Sequence, residues 1–226
     1  MAAHENPFAT RFIEPGALEY AFFGEGSLDR LVQEFLGTCH GRAAIVGPHG
    51  SGKTTLLHSF VPRIGNIQIY RDLANPDSNR FLSESKPASS ETKNMRWFRL
   101  SAQARDSRQV VTDRQRWDRN TLVVVDGFEQ MPIWMRYVVR WLTRRCGAGL
   151  LVTAHVKPLG LPVLWRTNVT QQSAEYVVRT LLADRQIDVE RLLASPEWGT
   201  IRSKWNDNLR EALFDLYDLV EDKRFS

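Results

Sequence analysis

An α/β fold, with a mainly parallel central sheet flanked by helices, is predicted by three observations. Three short apolar runs have the composition of buried strands, namely Ala43–Val46, Thr121–Val125 and Gly149–Thr153. Segments whose apolar residues recur at helical spacing lie between these runs. A glycine-rich loop, 47–54, connects the first strand directly to a helix. Together these features predict strands and helices that alternate around one sheet.

Composition and charge narrow the class of protein. The chain has 226 residues, which fits one globular domain. Its 30 basic and 26 acidic residues give a net charge of +4, and 24 of the basic residues are arginines. This excess permits an anionic partner without requiring one. Cys39 and Cys146 are the two cysteines, too few for a disulfide framework or a zinc cluster.

The expected location is the reducing cytoplasm. The N-terminus, 1–11, lacks the continuous apolar stretch of a signal peptide, and no 18-residue uncharged apolar run occurs in the chain. We therefore expect neither export nor a membrane span.

Three regions are predicted along the chain. Residues 1–26 form an extended strap, 27–185 the α/β domain that contains the glycine-rich loop, and 186–226 a helical tail packed on that domain. In the first half, one helix is predicted to be capped by Ser27 and to end near Leu36, and another follows the loop and stops before Pro62. Two strands are predicted at Ile67–Tyr70 and Arg96–Leu100. A surface helix is predicted at Ala104–Arg119. The polar segment 72–94 is either a mobile functional loop or a disordered insertion.

Three helices and an edge strand are predicted in the second half, besides the apolar runs already named. From Pro132 to Cys146 one apolar face is expected, made of Trp134, Tyr137, Val138, Trp141 and Leu142. An edge strand at Thr167–Thr170 and a helix at Ala174–Ala183 follow. The tail is predicted to be one long amphipathic helix that starts at Pro196 and runs through Trp198 and Trp205 to Val220. Its apolar stripe either packs on the protein's own domain or binds a partner.

The loop after the first strand has the chemistry of a phosphate site. It matches G-x-x-x-x-G-K-[ST] at every fixed position, between a strand and a helix. Glycines let the backbone approach phosphates, and the amide groups with the helix N-terminus attract anions. Lys53 would reach the β- and γ-phosphates, and the Thr54 hydroxyl would ligate Mg²⁺. The nucleotide-binding residues are Gly47, Pro48, His49, Gly50, Ser51, Gly52, Lys53, Thr54 and Thr55.

On these residues the sequence resembles the P-loop NTPases of the ASCE branch, which implies a three-layer α/β fold. The run 121–126 looks like their Walker B strand, 73 residues beyond Lys53. The resemblance implies that Asp126 holds Mg²⁺ through water, because a hard cation prefers oxygen ligands. The structural alternative is an aspartate that simply ends a strand at a turn.

Asp126-Gly127-Phe128-Glu129-Gln130 is similar to the acidic motif of the STAND and NACHT NTPases, relatives of the AAA ATPases. By this resemblance Glu129 polarises the attacking water, with Lys53 as its catalytic partner; otherwise Glu129 is an acid at a helix N-terminus. Gln130 departs from the pattern. Thr153 or His155 would sense the γ-phosphate, unless His155 is an ordinary loop histidine. The resemblance covers about 28–182, and the 44 residues beyond it are expected to form only a few helices, whereas helical, winged-helix and repeat domains usually follow in STAND proteins.

Arginines form a stripe on the helix 132–146. Arg136, Arg140 and Arg144 recur every four residues, with Arg145 beside them. This face could meet DNA phosphates, an acidic protein, or the nucleotide of a neighbouring subunit, and a solvated face explains it as well. No DNA-reading motif is present. Self-association or protein binding through the C-terminal helix or this stripe is therefore the broader expectation.

The function predicted is Mg²⁺-dependent hydrolysis of ATP that drives a conformational or assembly cycle. ATP is favoured over GTP because no guanine-reading motif is visible. Two alternatives stay open at this stage: a nucleotide-occupancy switch or scaffold with little turnover, and a small-molecule kinase.

Overall fold

Five strands form one all-parallel sheet flanked by helices, which confirms the predicted α/β fold. The computed structural model describes residues 6–65, 94–101, 104–183, 188–204 and 208–222. The strands are β1 Arg42–Val46, β2 Asn94–Arg99, β3 Thr121–Asp126, β4 Gly149–Ala154 and β5 Val163–Arg166, and their order in the sheet is β2-β3-β4-β1-β5. Every residue of β3 and β4 is buried, as expected for strands covered on both faces.

The helices follow the chain in nine segments among the described residues. They are α1 Thr10–Ile13, α2 Leu28–Leu36, α3 Lys53–Gly65, α4 Ala104–Thr112, α5 Ile133–Cys146, α6 Gln171–Leu182, α7 Val189–Leu193, α8 Pro196–Lys204 and α9 Leu209–Glu221, with short 3-10 helices at Asp113–Arg116 and Phe128–Gln130. No helix in these described ranges is both long and apolar enough to cross a membrane.

The chain divides into two compact units. Unit 1 comprises Met1–Ser27, Gly47–Ser59 and Arg166–Ser226, and unit 2 comprises Leu28–Val46 and Phe60–Trp165. The core of unit 2 joins the faces of β3 and β4 to α5, with Val123, Leu150 and Val139 inaccessible to solvent. Burial of such side chains contributes about 1.5–3 kcal/mol each, which is why these elements assemble.

The core of unit 1 is helical. Phe8 from the N-terminal segment and Trp198 of α8 are buried together with residues of α6, α7 and α9. The α6 helix begins with a capping box in which Thr170 and Ser173 bond each other's backbone. Asn6 donates from Nδ2 to the carbonyl oxygen of Tyr217 at 2.9 Å, so the N-terminal segment is fastened to α9.

Strand register places several carboxyl ends at one edge of the sheet. Val46 of β1 is paired with Ala154 of β4, and Val125 of β3 with Val152 of β4. Because these strands are parallel, the residues that follow them leave the same edge. In α/β proteins this is the edge where ligands bind.

The helix after the glycine-rich loop does not stop before Pro62, as predicted, but continues to Gly65. Proline removes one backbone hydrogen bond from a helix. Here Val61 and Ile64 are almost completely buried, so the apolar face of α3 extends past the proline and outweighs that loss. The predicted strand Ile67–Tyr70 and nearly all of the polar segment 72–94 lie outside the described residues. Asn94 begins β2, two residues before the predicted start.

The predicted surface helix Ala104–Arg119 is shorter than expected. It forms α4 and then one 3-10 turn that ends at Arg116. Trp117 follows in an extended conformation and is 6% exposed. The ring is therefore part of the core of unit 2 and not of a surface helix.

The prediction of one long C-terminal helix is also wrong. The segment is broken into α8 and α9, and Asn208 between them has φ −105° and ψ 88°, which is not helical. Trp205 lies outside the described residues. Apolar spacing continues across the break because both helices face the same core, so periodicity alone could not reveal it. The edge strand is β5, four residues before the predicted Thr167–Thr170, and Thr170 instead caps α6.

The buried face of α5 is the predicted one only in part, because Leu142 is buried as expected but the aromatic residues are not. Met135, Val139 and Leu142 are buried against the sheet, whereas Trp134 and Trp141 are exposed. Two stripes of this helix share the same apolar spacing, offset by about one residue. The aliphatic stripe packs against the β-branched strands, and the aromatic stripe is left on the surface.

Candidate functional site

The glycine-rich loop, 47–54, begins directly after β1 and runs into the first turn of α3. Gly50 and Gly52 have φ of +69° and +86°, a region that side-chain-bearing residues rarely adopt. Among the described residues, no acceptor takes the backbone N–H of either glycine. The loop thus holds amide donors beside a helix N-terminus, where partial positive charge collects.

Lys53 lies folded back on this loop. Its ammonium donates to the carbonyl oxygens of Gly47 at 2.8 Å and Pro48 at 2.6 Å. Thr54 and Thr55 follow in the first turn of α3 and are half-buried, while His49 at the tip of the loop is exposed. All nine predicted loop residues therefore lie in one continuous segment, and its positive charge is held against the backbone.

A buried pair of hydroxyl groups, those of Ser51 and Thr167, stabilises the glycine-rich loop. Ser51 Oγ donates to the carbonyl oxygen of Pro48 at 2.8 Å and lies 2.6 Å from Thr167 Oγ1. A Cβ atom on Gly47 would lie 2.2 Å from that Thr167 hydroxyl. Glycine is therefore required at position 47 by close packing, and sequence reasoning did not identify Thr167 as its partner.

Two further side chains, which sequence reasoning also missed, pack against the loop. A Cβ on Gly50 would lie 1.8 Å from Asn208 Oδ1, and a Cβ on Gly52 would lie 3.2 Å from the Tyr20 ring. Asn208 donates from Nδ2 to Glu211 Oε1 at 2.8 Å, but its buried Oδ1 has no hydrogen-bond partner within the part of the chain that the structure describes. No local signal marks Asn208, because it lies at the break that helical periodicity conceals.

In unit 2, Asp126 and Thr153 form a buried pair where β3 and β4 end. Thr153 Oγ1 donates to Asp126 Oδ1 at 2.6 Å and accepts from the N–H of Gly127 at 2.8 Å. Arg99 Nε lies 3.9 Å from the other carboxylate oxygen. The Thr153 hydroxyl is thus engaged in holding Asp126 and the turn after it.

Glu129 and His155 form a second pair in the same unit. His155 Nε2 lies 3.0 Å from Glu129 Oε1, within hydrogen-bonding distance. Glu129 Oε2 is buried, and no described residue gives it a hydrogen bond. A carboxylate oxygen in this state is an acceptor for a water molecule, because leaving it unsatisfied costs free energy.

Arg136 fixes the turn that carries Glu129. Its guanidinium donates to the carbonyl oxygens of Met131 at 2.6 Å and Glu129 at 2.7 Å. Arg140 donates to the carbonyl oxygen of Gly160 at 3.3 Å, while Arg144 is exposed. The predicted arginine stripe is therefore not uniform, and its first member has a structural role.

Comparison with models of known protein families gives no match, and comparison with curated proteins gives none either. Among solved structures, the chain is similar to the structure of C. elegans PCH-2, with 13% sequence identity and a TM-score of 0.40. The match covers 87% of this chain and 66% of that one.

Proposed function

We propose that the chain binds a Mg²⁺–nucleoside triphosphate, ATP, and hydrolyses it slowly. The observation that carries this proposal is the loop 47–54. Gly50 and Gly52 adopt left-handed conformations, their N–H groups lack described acceptors, and the Lys53 ammonium lies against the same loop. Triphosphate oxygens would satisfy those donors and would draw Lys53 from its backbone carbonyls.

Thr54 and Asp126 are the residues that would hold the metal ion. Hydroxyl and carboxylate oxygens suit Mg²⁺, which prefers hard ligands and retains several waters. Thr153 keeps the Asp126 carboxylate in one orientation by a 2.6 Å hydrogen bond, and such a bond to a metal ligand fixes how the ligand faces the ion. Bound Mg²⁺ would neutralise charge that develops on the transferred phosphoryl group.

Glu129 is the proposed general base. Its Oε1 is paired with His155, and its buried Oε2 is the acceptor that a nucleophilic water would occupy. In the reaction the water oxygen bonds to the γ-phosphorus as the bond to the β-phosphate oxygen breaks. The water proton passes to Glu129, and ADP and phosphate are released. His155 would orient this carboxylate, and we keep the γ-phosphate sensor as its alternative role.

A nucleotide-occupancy switch is the second candidate, and Asn208 favours it. Its side chain is packed on Gly50 at the break between α8 and α9. Any rearrangement of the loop around phosphate would therefore displace the start of α9. A partner that contacts the C-terminal helices would then respond to nucleotide occupancy even if turnover is negligible.

Binding is tested first, by ATP titration of the parent protein and two lysine variants. Lys53→Ala is expected to abolish ATP binding with the fold intact, because the loop loses its phosphate-binding cation. Lys157→Ala, which removes an exposed lysine of unit 2, is the matched control and should bind like the parent. Equal ATP affinity in the parent and Lys53→Ala would contradict the assignment of the loop.

Turnover is tested by Mg²⁺-dependent phosphate release over a range of protein concentrations. Glu129→Gln should abolish release and retain ATP binding, while Glu175→Gln, on α6, should release phosphate normally. Release that rises faster than linearly with protein concentration indicates self-association. Tight ATP binding without release in the parent supports the switch and excludes the hydrolase.

A further inference from the structure

The α5 helix presents an apolar face to solvent. Ile133, Trp134, Tyr137 and Trp141 are 67%, 63%, 48% and 59% exposed, while the opposite side of the helix is buried in the core. Trp134, Tyr137 and Trp141 recur at i, i+3 and i+7, so their rings lie in one row over about 10 Å. Exposed aromatic rings in a contiguous row are uncommon on a surface that contacts only water.

Cations are interleaved with these rings. The Arg140 guanidinium lies 5.7 Å from the centre of the Tyr137 ring, and that of Arg145 lies 5.5 Å from the Trp141 ring. The helix contains four arginines and no acidic residue. Among the described residues, no carboxylate lies within ion-pair distance of Arg140, Arg144 or Arg145.

The pKa of a neighbouring side chain, Arg42, reflects the same excess of positive charge. Arg42 donates to the carbonyl oxygens of Ala148 and Arg140 near the C-terminus of α5. Burial lowers the pKa of Arg42 to about 10, and the nearby charges of Arg144 and Arg140 contribute to the lowering. Cations that repel one another in this way are stabilised when an anion binds between them.

We propose that this face of α5, comprising Trp134, Tyr137, Trp141, Arg144 and Arg145, binds single-stranded nucleic acid. Successive rings lie about 4.5 and 6 Å apart along the helix axis, which allows unpaired bases to stack on them in sequence. The arginines at the C-terminal end of the row would contact the phosphates. Paired bases in a duplex are already stacked and cannot use the rings. A second copy of the same face offers these arginines no carboxylate, because α5 contains no acidic residue.

Fluorescence anisotropy with a labelled oligothymidylate tests the proposal, without nucleoside triphosphate in the assay. Trp141→Ala is expected to weaken binding at least fivefold, about the loss of one stacked base, and Trp141→Tyr should largely retain it. Phe214→Ala removes a ring that is 46% exposed on α9, and it should leave binding unchanged. A duplex of the same length should bind more weakly than the single strand.

Salt titration distinguishes phosphate contacts made by the arginines of this face from a general effect of the protein's positive charge. Arg144→Gln with Arg145→Gln should reduce the slope of log K against log salt by about 1.4, because each phosphate contact contributes about 0.7. Arg191→Gln with Arg202→Gln makes the same change of charge on exposed positions of α7 and α8 and should leave the slope unchanged. Equal loss in both pairs would contradict a localised site.

Three further outcomes overturn the proposal. One is absence of oligothymidylate binding at low salt, and another is unchanged affinity in Trp141→Ala. The third is binding of poly-glutamate through the same face with no binding of the oligonucleotide, which would assign the surface to an acidic protein. Because none of these assays contains ATP, they stand or fall independently of the proposed hydrolase.

Discussion

Removing the Thr153 hydroxyl tests the arrangement at the ends of β3 and β4. Thr153→Val preserves the shape of the side chain but deletes the donor to Asp126 Oδ1 and the acceptor for the Gly127 N–H. The position is 1% exposed, so water does not readily replace either bond. Thr153→Ser keeps the hydroxyl and loses only a methyl group, which makes it the matched variant.

The expected loss of stability follows from these two bonds. A hydrogen bond to a charged group is worth about 1.5–3 kcal/mol, and leaving the Gly127 N–H without a partner costs about 1 kcal/mol or more. Thr153→Val should therefore lower the free energy of unfolding by about 2–4 kcal/mol. With a urea dependence of about 2 kcal/mol per molar, the unfolding midpoint falls by about 1–2 M.

Urea unfolding followed by circular dichroism measures this shift. Thr180→Val serves as the control, because its hydroxyl bonds Tyr176 within an exposed turn of α6 and its loss should cost well under 1 kcal/mol. Thr153→Ser should lie nearer to the parent protein than to Thr153→Val. A Thr153→Val midpoint within 0.2 M of the parent (roughly 0.4 kcal/mol) refutes the argument, and so does equal loss in the serine and valine variants.

Two other predictions concern backbone conformation and pH. Gly50→Ala should destabilise the protein by about 2 kcal/mol or more, since φ of +69° costs about 1–2 kcal/mol and the new Cβ would collide with a side chain 1.8 Å away. Gly24→Ala, at φ +114° with open space, should cost only the backbone strain, and equal thermal shifts would exclude the collision. Burial alone would raise the pKa of Asp113, but the hydrogen bond and charge of Arg96 make the pKa lower overall. The stability that the ionised Asp113 carboxylate contributes is present above its unfolded pKa of about 4 and is lost as pH falls through its folded pKa. The difference in stability between the parent and Arg96→Met should therefore close in acid unfolding experiments.

The three central strands β1, β3 and β4 and the glycine-rich loop could be predicted from the sequence because their signals are local. Apolar runs such as 121–125 are typical of buried strands, and the predicted bounds of the three runs agree with the observed strands to within one residue. Gly50 and Gly52 occupy positions where a left-handed conformation is needed, so the motif encodes the backbone directly. The proximity of Asp126 to Thr153 also follows, since parallel neighbours end at one edge of the sheet.

Contacts between distant segments could not be predicted. Asn208 lies on Gly50 across more than 150 residues of chain, and nothing near it in sequence marks a helix break. Thr167 was expected in an edge strand, yet its hydroxyl supports Ser51. Both contacts depend on the packing of unit 1, which periodicity does not specify.

The orientation of α5 shows why apolar spacing alone is insufficient. The rows 134, 137, 141 and 135, 139, 142 have almost the same spacing, so either could face the sheet. Arg42 distinguishes the two orientations, because its guanidinium donates to the Arg140 carbonyl and the Thr143 hydroxyl. These bonds connect one side of the helix to β1. The aliphatic row is then buried and the aromatic row is exposed. A part-buried polar contact from a strand thus favours the orientation that leaves the aromatic row exposed, and the surface proposed to bind single strands is its consequence.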